Sequence, residues 1–309
     1  MWLLTSSNIP NVWGNTFGLT RALLATSTLL TLLFNNTDIL FTPGVGLTKC
    51  PSCVGITKLS LYCIFIEHLE AVRVVSILVL IITILGWRPA ITGIFHWWVC
   101  FSLNTTSLII DGGDQVAAVL SLLILPICLT DFRVSHWDPV DVDYKLNNNF
   151  FFQIRCFIAY ISYIIIRYQV ALIYFESVIS KFKVTEWLDG TVTYYWFLNP
   201  YMGVDSFLKD IFLYLFTNSY VVTATTWGSL FLEFFLFTGL FLERKYRVPL
   251  YLLGLFFHAL IAVLFGLIPF FFSMAACLTI YLYPIGSNLP MKIYSKIKNE
   301  CHRLYGDRH

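Results

Sequence analysis

Charge is what this chain has least of. Of its 309 residues only 12% are charged, against 58% hydrophobic and 17% aromatic. A soluble globular domain carries roughly twice that share of charge, so the composition excludes one. The opening residues also lack the basic start, short apolar core and small-residue site of a cleavable signal peptide. The first apolar run is therefore expected to remain as an anchor. No internal repeat, low-complexity tract or interdomain linker breaks the chain, which points to one membrane domain, residues 1–284, followed by a basic tail, 285–309. Eight cysteines are too scattered for the disulfide framework of a small secreted protein. Cys63, Cys100, Cys128, Cys156 and Cys277 fall in or beside apolar runs, where cysteine behaves as a small hydrophobe.

What is present is a series of apolar runs long enough to cross roughly 30 Å of hydrocarbon. They predict an all-α, polytopic membrane bundle of about eight helices: Gly18–Phe34, Glu70–Gly86, Ala90–Ile110, Gln115–Leu129, Phe150–Ile179, Val221–Leu242, Pro249–Leu267 and Phe270–Tyr283. Arg88-Pro89 and Pro269 supply breaks, because proline cannot continue a helix from the preceding turn. Between Lys181 and Ser219 the chain is semi-polar and aromatic, with Phe207–Phe216 readable as a short interfacial helix. Arg244, Lys245 and Arg247 crowd one loop, and Lys292, Lys296, Lys298, Arg303 and Arg308 fill the tail. The positive-inside rule assigns both to the cytoplasm. Eight spans then leave both termini inside, with residues 35–66, the Asp111 turn and residues 181–219 outside.

An ionisable side chain within a span costs roughly 2.5–3.5 kcal/mol on insertion scales and calls for a partner or a watery cavity. His96, Arg167, Gln169, Glu176, Glu233 and His258 are such polar residues. Taken singly, Glu233, His258 and Arg167 read as interhelical hydrogen-bonding glue, while the number of such residues favours a polar cavity. Gln169, Glu176 and Lys183 are seven apart and so share a helical face. His96-Trp97-Trp98 reads as part of an aromatic belt. Ser180-Lys181-Phe182-Lys183-Val184-Thr185-Glu186-Trp187-Leu188-Asp189-Gly190 follows the fifth span directly and gathers charge at one membrane boundary. A lysine held against hydrocarbon can be desolvated into a base or nucleophile. The plainer reading is a snorkelling lysine pair beside a tryptophan belt.

Two further motifs stand in the outer loops. Asp111-Gly112-Gly113-Asp114 reads as a tight turn whose aspartates cap the next helix, or as two carboxylates able to hold a cation or orient a base. Cys50-Pro51-Ser52-Cys53 reads as a local disulfide or a redox-active dithiol. As a metal site it would need two further ligands that no residue supplies by spacing, so no metal is expected.

The run Asn11-Val12-Trp13-Gly14-Asn15-Thr16-Phe17-Gly18-Leu19-Thr20-Arg21, followed by Leu29-Leu30-Thr31-Leu32-Leu33-Phe34-Asn35, resembles the start of the SdpB family. Asp111 to Asp114, and Lys181-Phe182 with Trp187-Leu188-Asp189-Gly190, resemble it too. That family belongs to the HTTM group of membrane domains, related to the membrane part of vitamin K-dependent γ-carboxylase. The resemblance implies a multi-pass protein of the bacterial cell membrane, with no nucleic-acid partner. Together with a small SdpA-like protein it would be required to mature a toxin-peptide precursor into a secreted antimicrobial peptide. The carboxylase relationship implies Lys181 as base, His258 of Phe256-Phe257-His258 as a matching histidine, and admits a reduced quinone as cofactor.

Residues and resemblance together predict an outward-opening polar cavity built from Lys181, Glu176, Glu233, His258, Asp111 and Asp114, with Gly112, Gly113, Trp187 and Gly190 shaping it. Three functions stay open. They are a maturation factor, a quinone-dependent carboxylase-like or thiol-oxidising enzyme acting on a peptide, and a non-enzymatic peptide-binding or export factor.

Overall fold

A computed structural model describes residues 10–42, 51–108, 110–139, 149–199 and 213–285. Its principal helices run, in chain order, α1 Asn15–Phe34, α2 Leu69–Leu85, α3 Pro89–Thr106, α4 Gly112–Leu129, α5 Phe150–Lys181, α6 Ser219–Thr238, α7 Arg244–Phe265 and α8 Ile268–Leu282. Six of these, α1, α2 together with the 3-10 turn Ile66–His68 before it, and α4 to α7, are long and apolar enough to cross a membrane. The less apolar α3 and the 15-residue α8 complete the expected eight. The chain is an all-α polytopic membrane bundle. The expected helix at 207–216 lies mostly outside the described residues, as do the basic tail and both termini.

Local chemistry sets the helix ends. α2 stops at Gly86, whose φ of 89° puts it in the left-handed region that glycine enters at no steric cost. α3 opens on Pro89, where the missing N–H would have had no helical partner. Asp111 caps α4 by accepting from the Asp114 amide at 3.0 Å, so the capping alternative describes this turn.

α1, α4, α5 and α8 make up the interior, and α1 packs most extensively against α8. Phe17, Leu24, Leu120, Ile166, Leu278 and Tyr281 are among the buried side chains of this core. Small and hydroxyl-bearing residues hold the helices close, as expected where lipid supplies no hydrophobic drive between spans. Ser273 Oγ lies 2.8 Å from both Ser27 Oγ and the Gly113 carbonyl, and Ser27 Oγ donates to the Pro269 carbonyl at 2.7 Å. A Cβ on Gly113 would stand 2.7 Å from the Phe270 Cα, so only glycine admits α8 at this point. On the outside, Leu85, Phe157, Phe235, Leu252, Phe256 and Val263 are exposed, as on a surface that faces lipid.

The chain after α4 does not leave the bundle. Residues 131–139 turn back beneath α1, α2 and α3, with the Arg88 amide donating to the Val134 carbonyl at 2.8 Å and the His136 amide to the Gly86 carbonyl at 3.0 Å. His136 is thereby inserted among the three helices and fully buried.

The first outer loop corrects the reading of the cysteines. Cys53 is joined to Cys63, not paired within the C-x-x-C motif, and Cys50 lies outside the described residues. Cys63 is thus not the small hydrophobe expected. A 3-10 turn over Gly55–Leu59 and a helical turn over Leu61–Ile64 reverse the chain and bring the two Cα atoms to 5.6 Å. Cys100, Cys128, Cys156 and Cys277 are free and buried. Non-reducing peptide mapping is expected to recover the Cys53–Cys63 cross-link. Closing a loop of this length contributes about 2–3 kcal/mol, so Cys63→Ser should lower the thermal midpoint by several degrees.

Candidate functional site

α5 carries Lys181 as its last helical residue, where the sequence reading ended the helix at Ile179. Tyr174, Ser177 and Lys181 fall at i, i+3 and i+7, which puts all three on one face of the helix. That face meets α6 and α7. Lys181 Nζ donates to both carboxylate oxygens of Glu233 on α6, and Ser177 Oγ donates to Glu233 Oε2 at 3.0 Å. The side chains are 20% and 9% exposed, so the ion pair sits within the bundle wall and away from open solvent. One turn deeper the Tyr174 hydroxyl and His258 Nε2 share a hydrogen bond of 3.0 Å. His258 is buried against Phe257 and Phe270, and its Nδ1 has no partner.

The segment after α5 closes over this cluster. Trp187, on the short helix Thr185–Leu188, stacks its ring 4.8 Å from Lys181 Nζ, a cation–π contact. Gly190 has a φ of 80°, and a Cβ there would meet Thr223 at 3.1 Å and Trp227 at 3.2 Å, so both backbone and space require glycine. Beyond it Thr193 Oγ1 donates to the Val222 carbonyl at 3.1 Å, pinning the segment to α6.

Of the predicted set, Lys181, Glu233, His258, Trp187 and Gly190 are brought together. Glu176 is not: it lies on the exposed side of α5. Lys183 falls beyond the end of the helix and is exposed, so the face expected for Gln169, Glu176 and Lys183 gives way to the one bearing Tyr174 and Ser177. Among the described residues Asp111 and Asp114 make no hydrogen bond or ion pair with the lysine cluster. Thr31 Oγ1 donates to Asp114 Oδ1 at 3.0 Å, and Gly113 abuts the Phe270 backbone. A cavity of about 630 Å³ lies between α2 and α3, lined by such residues as Leu61, Phe65, Val75 and Phe95, away from the lysine cluster. His96 departs from the aromatic-belt reading, for it is buried inside the bundle, whereas Trp98 Nε1 reaches the Leu59 carbonyl at 2.8 Å.

A second polar cluster had no place in the sequence reading. Arg21 is fully buried and donates through Nη1 to His136 Nδ1 at 3.1 Å and through Nη2 to Thr92. Arginine offers donors only, so His136 Nδ1 must accept and the ring is held neutral. Burial, with Arg21 and Arg133 nearby, pushes its imidazole down to about 2. The partners lie 115 and 71 residues from Arg21, and no spacing in the sequence links them. For Tyr174 and Ser177 the signal was available in their spacing to Lys181.

The chain is 38% identical over 282 residues to a Bacillus subtilis (strain 168) protein described as the uncharacterized protein YitO, covering 90% of this chain and 88% of the relative. It is 36% identical over 305 residues to the sporulation-delaying protein SdpB of the same organism, covering 96% of this chain and 92% of the relative. No family model and no solved structure matches.

Proposed function

The chain belongs to the SdpB family, and from that membership we propose that it is a cell-membrane factor required to mature a secreted antimicrobial peptide, acting with a small SdpA-like partner. The observation that carries this is the identity to the sporulation-delaying protein SdpB over 96% of the chain. In this reading residues 1–284 form a single HTTM-like membrane unit and 285–309 a cytoplasmic tail. The Cys53–Cys63 bond supports an outward-facing first loop, since disulfides persist in oxidising compartments. The Lys181 cluster lies on the same side, at the end of α5, and is where the peptide would be handled.

A second reading makes the chain an enzyme of the carboxylase-like kind, and one geometric fact favours it. Lys181, Glu233 and Ser177 form a connected polar set beside the Tyr174–His258 pair, in surroundings otherwise apolar. Glu233 is placed to exchange a proton with Lys181 Nζ, and Trp187 shields the lysine from water. The unpartnered Nδ1 of His258, among Phe257 and Phe270, fits a ring oxygen of a reduced quinone. Bound there, such a group would supply redox equivalents, the quinol as electron donor in a carboxylase-like reaction and its oxidised quinone as the two-electron acceptor that loss of hydrogen from thiols requires.

Intact-mass spectrometry of the secreted peptide tests both readings. Precursor and partner are co-expressed with the wild-type chain, with Lys181→Ala, or with no chain at all. Mature peptide is expected with the wild type and none without the chain; equal peptide in the chain's absence would overturn the maturation role. A mass change matching added carboxylate or lost hydrogen, present with wild type and absent with Lys181→Ala, makes it an enzyme. Peptide of unchanged mass and altered yield makes it a binding or export factor.

A further inference from the structure

Arg167 lies within α5, and its Nε and Nη2 are buried without any hydrogen-bond partner. Its guanidinium faces the rings of Tyr163 and Tyr281 at 5.8 and 5.9 Å, contacts that stabilise the cation without neutralising it. Two more arginines, Arg244 and Arg247 in the first turn of α7, share this neighbourhood, and all three act electrostatically on Tyr163. Arg247 uses Nε to donate to the Leu242 carbonyl at 2.8 Å, which fixes its stem and leaves its terminal nitrogens to point elsewhere.

Among the described residues no carboxylate pairs with these cations. The ion pairs among the described residues are Arg73–Glu70, Arg133–Asp131, Lys181–Glu233 and Lys245–Glu243. The acid nearest in sequence to Arg244, Glu243, is therefore held by Lys245. The electrostatic neighbours of Arg247 are Arg167 and Arg244, which repel it, and two tyrosines. A guanidinium in a span costs several kcal/mol unless paired, and a like-charged pair adds to that cost. Among the described residues the orphaned Arg167, with the partly buried Arg247 and the exposed Arg244 beside it, therefore describes half of an ionic site. The missing half is an anion with several oxygens, since the planar guanidinium matches phosphate with two parallel hydrogen bonds.

We propose that Arg167, Arg244 and Arg247, framed by Tyr163 and Tyr281, bind a phosphate group at this end of the bundle. Phosphate can reach the site as the headgroup of an anionic phospholipid, as basic pockets between membrane helices bind lipid phosphates, or as a free ion.

The test uses the full chain in phosphatidylcholine nanodiscs. Its thermal midpoint is followed as phosphatidylglycerol is added to the bilayer and, separately, as inorganic phosphate is added to the buffer. Native mass spectrometry records retained lipid. Binding should raise the midpoint, and loss of one charge-assisted contact in Arg167→Gln should weaken the response roughly tenfold. Arg247→Gln, at the more exposed rim, should do the same if Arg167→Gln fails to fold. Lys58→Gln, in the exposed 3-10 turn of the first outer loop, should respond as the wild type. A response to phosphatidylglycerol beyond that to inorganic phosphate assigns the site to a lipid headgroup, and a response to inorganic phosphate alone assigns it to the free ion. A wild-type midpoint indifferent to both, or Arg167→Gln and Arg247→Gln variants that respond as fully as the wild type, would overturn the proposal.

Discussion

Lys181→Ala is expected to destabilise the bundle by about 3–5 kcal/mol, the usual cost of stranding one member of a buried ion pair. The asymmetry of burial says which member matters more. Glu233, with its side chain 9% exposed, would keep only Ser177 as a partner. Lys181, at 20% and on the last turn of α5, can lift its ammonium toward the interface when Glu233 is lost. Glu233→Leu alone should therefore cost less than Lys181→Ala, and Lys181→Met with Glu233→Leu should recover most of the loss because no charge remains buried. Unfolding of the wild type, Lys181→Met, Glu233→Leu and the double variant in mixed detergent micelles, followed by helicity, gives the coupling energy directly. A loss in the double variant equal to the sum of the two single losses would mean the pair is not coupled. The double variant also serves the peptide assay: it keeps the fold while removing the chemistry, so failure to mature peptide there cannot be laid to unfolding.

The opposite end of the bundle should weaken in acid. His136 is neutral in the folded chain down to about 2, whereas an exposed histidine takes up its proton near 6.5. Between those values the unfolded chain binds a proton that the folded chain refuses. The stability contributed by His136 is thus complete above about pH 6.5 and declines as pH falls, by about 1.4 kcal/mol per unit, or roughly 2 kcal/mol by pH 5. His136→Gln should flatten this part of the pH profile relative to the wild type; parallel profiles would sink the assignment. Gly86→Ala should strike the same device from its other side. Its φ of 89° is strained for alanine, and the new Cβ would stand 2.6 Å from the His136 ring and 2.8 Å from Trp137. Strain and overpacking together predict a loss on the order of 3 kcal/mol.

Much of the architecture was legible because lipid imposes a one-dimensional rule, a run of apolar residues about one bilayer long. Each of the eight runs became a helix within a few residues of its expected ends, with Gly86, Pro89 and the Asp111 turn marking stops and starts. The bundle interior was less legible. Lys181 and Glu233 could each be singled out as costly polar residues, but their meeting across 52 positions is a product of helix packing. Glu176 was grouped with them on a seven-residue repeat that ignores which side of α5 faces the bundle, and it faces away. Arg21 entered the sequence reading as the end of the N-terminal run that resembles the SdpB family. Only the folded-back segment 131–139 reveals that it points inward, to His136. The C-x-x-C spacing drew attention from Cys63, whose pairing depends on two short turns that carry no strong sequence signature.

The packing of α1 against α8 has a consequence for how the chain is made. Ser27 bonds to the Pro269 carbonyl, 242 residues later. At roughly 5–20 residues per second, the first span waits about 12–50 s for the last to emerge from the ribosome. During that interval Ser27 stands on a helix that is already in the membrane but has no α8 to meet. The nascent protein must therefore be sheltered, by the insertion machinery or by its own earlier helices, until synthesis reaches the C-terminal span. A chain cut short before Ile268 would leave the insertion site with that central face permanently open.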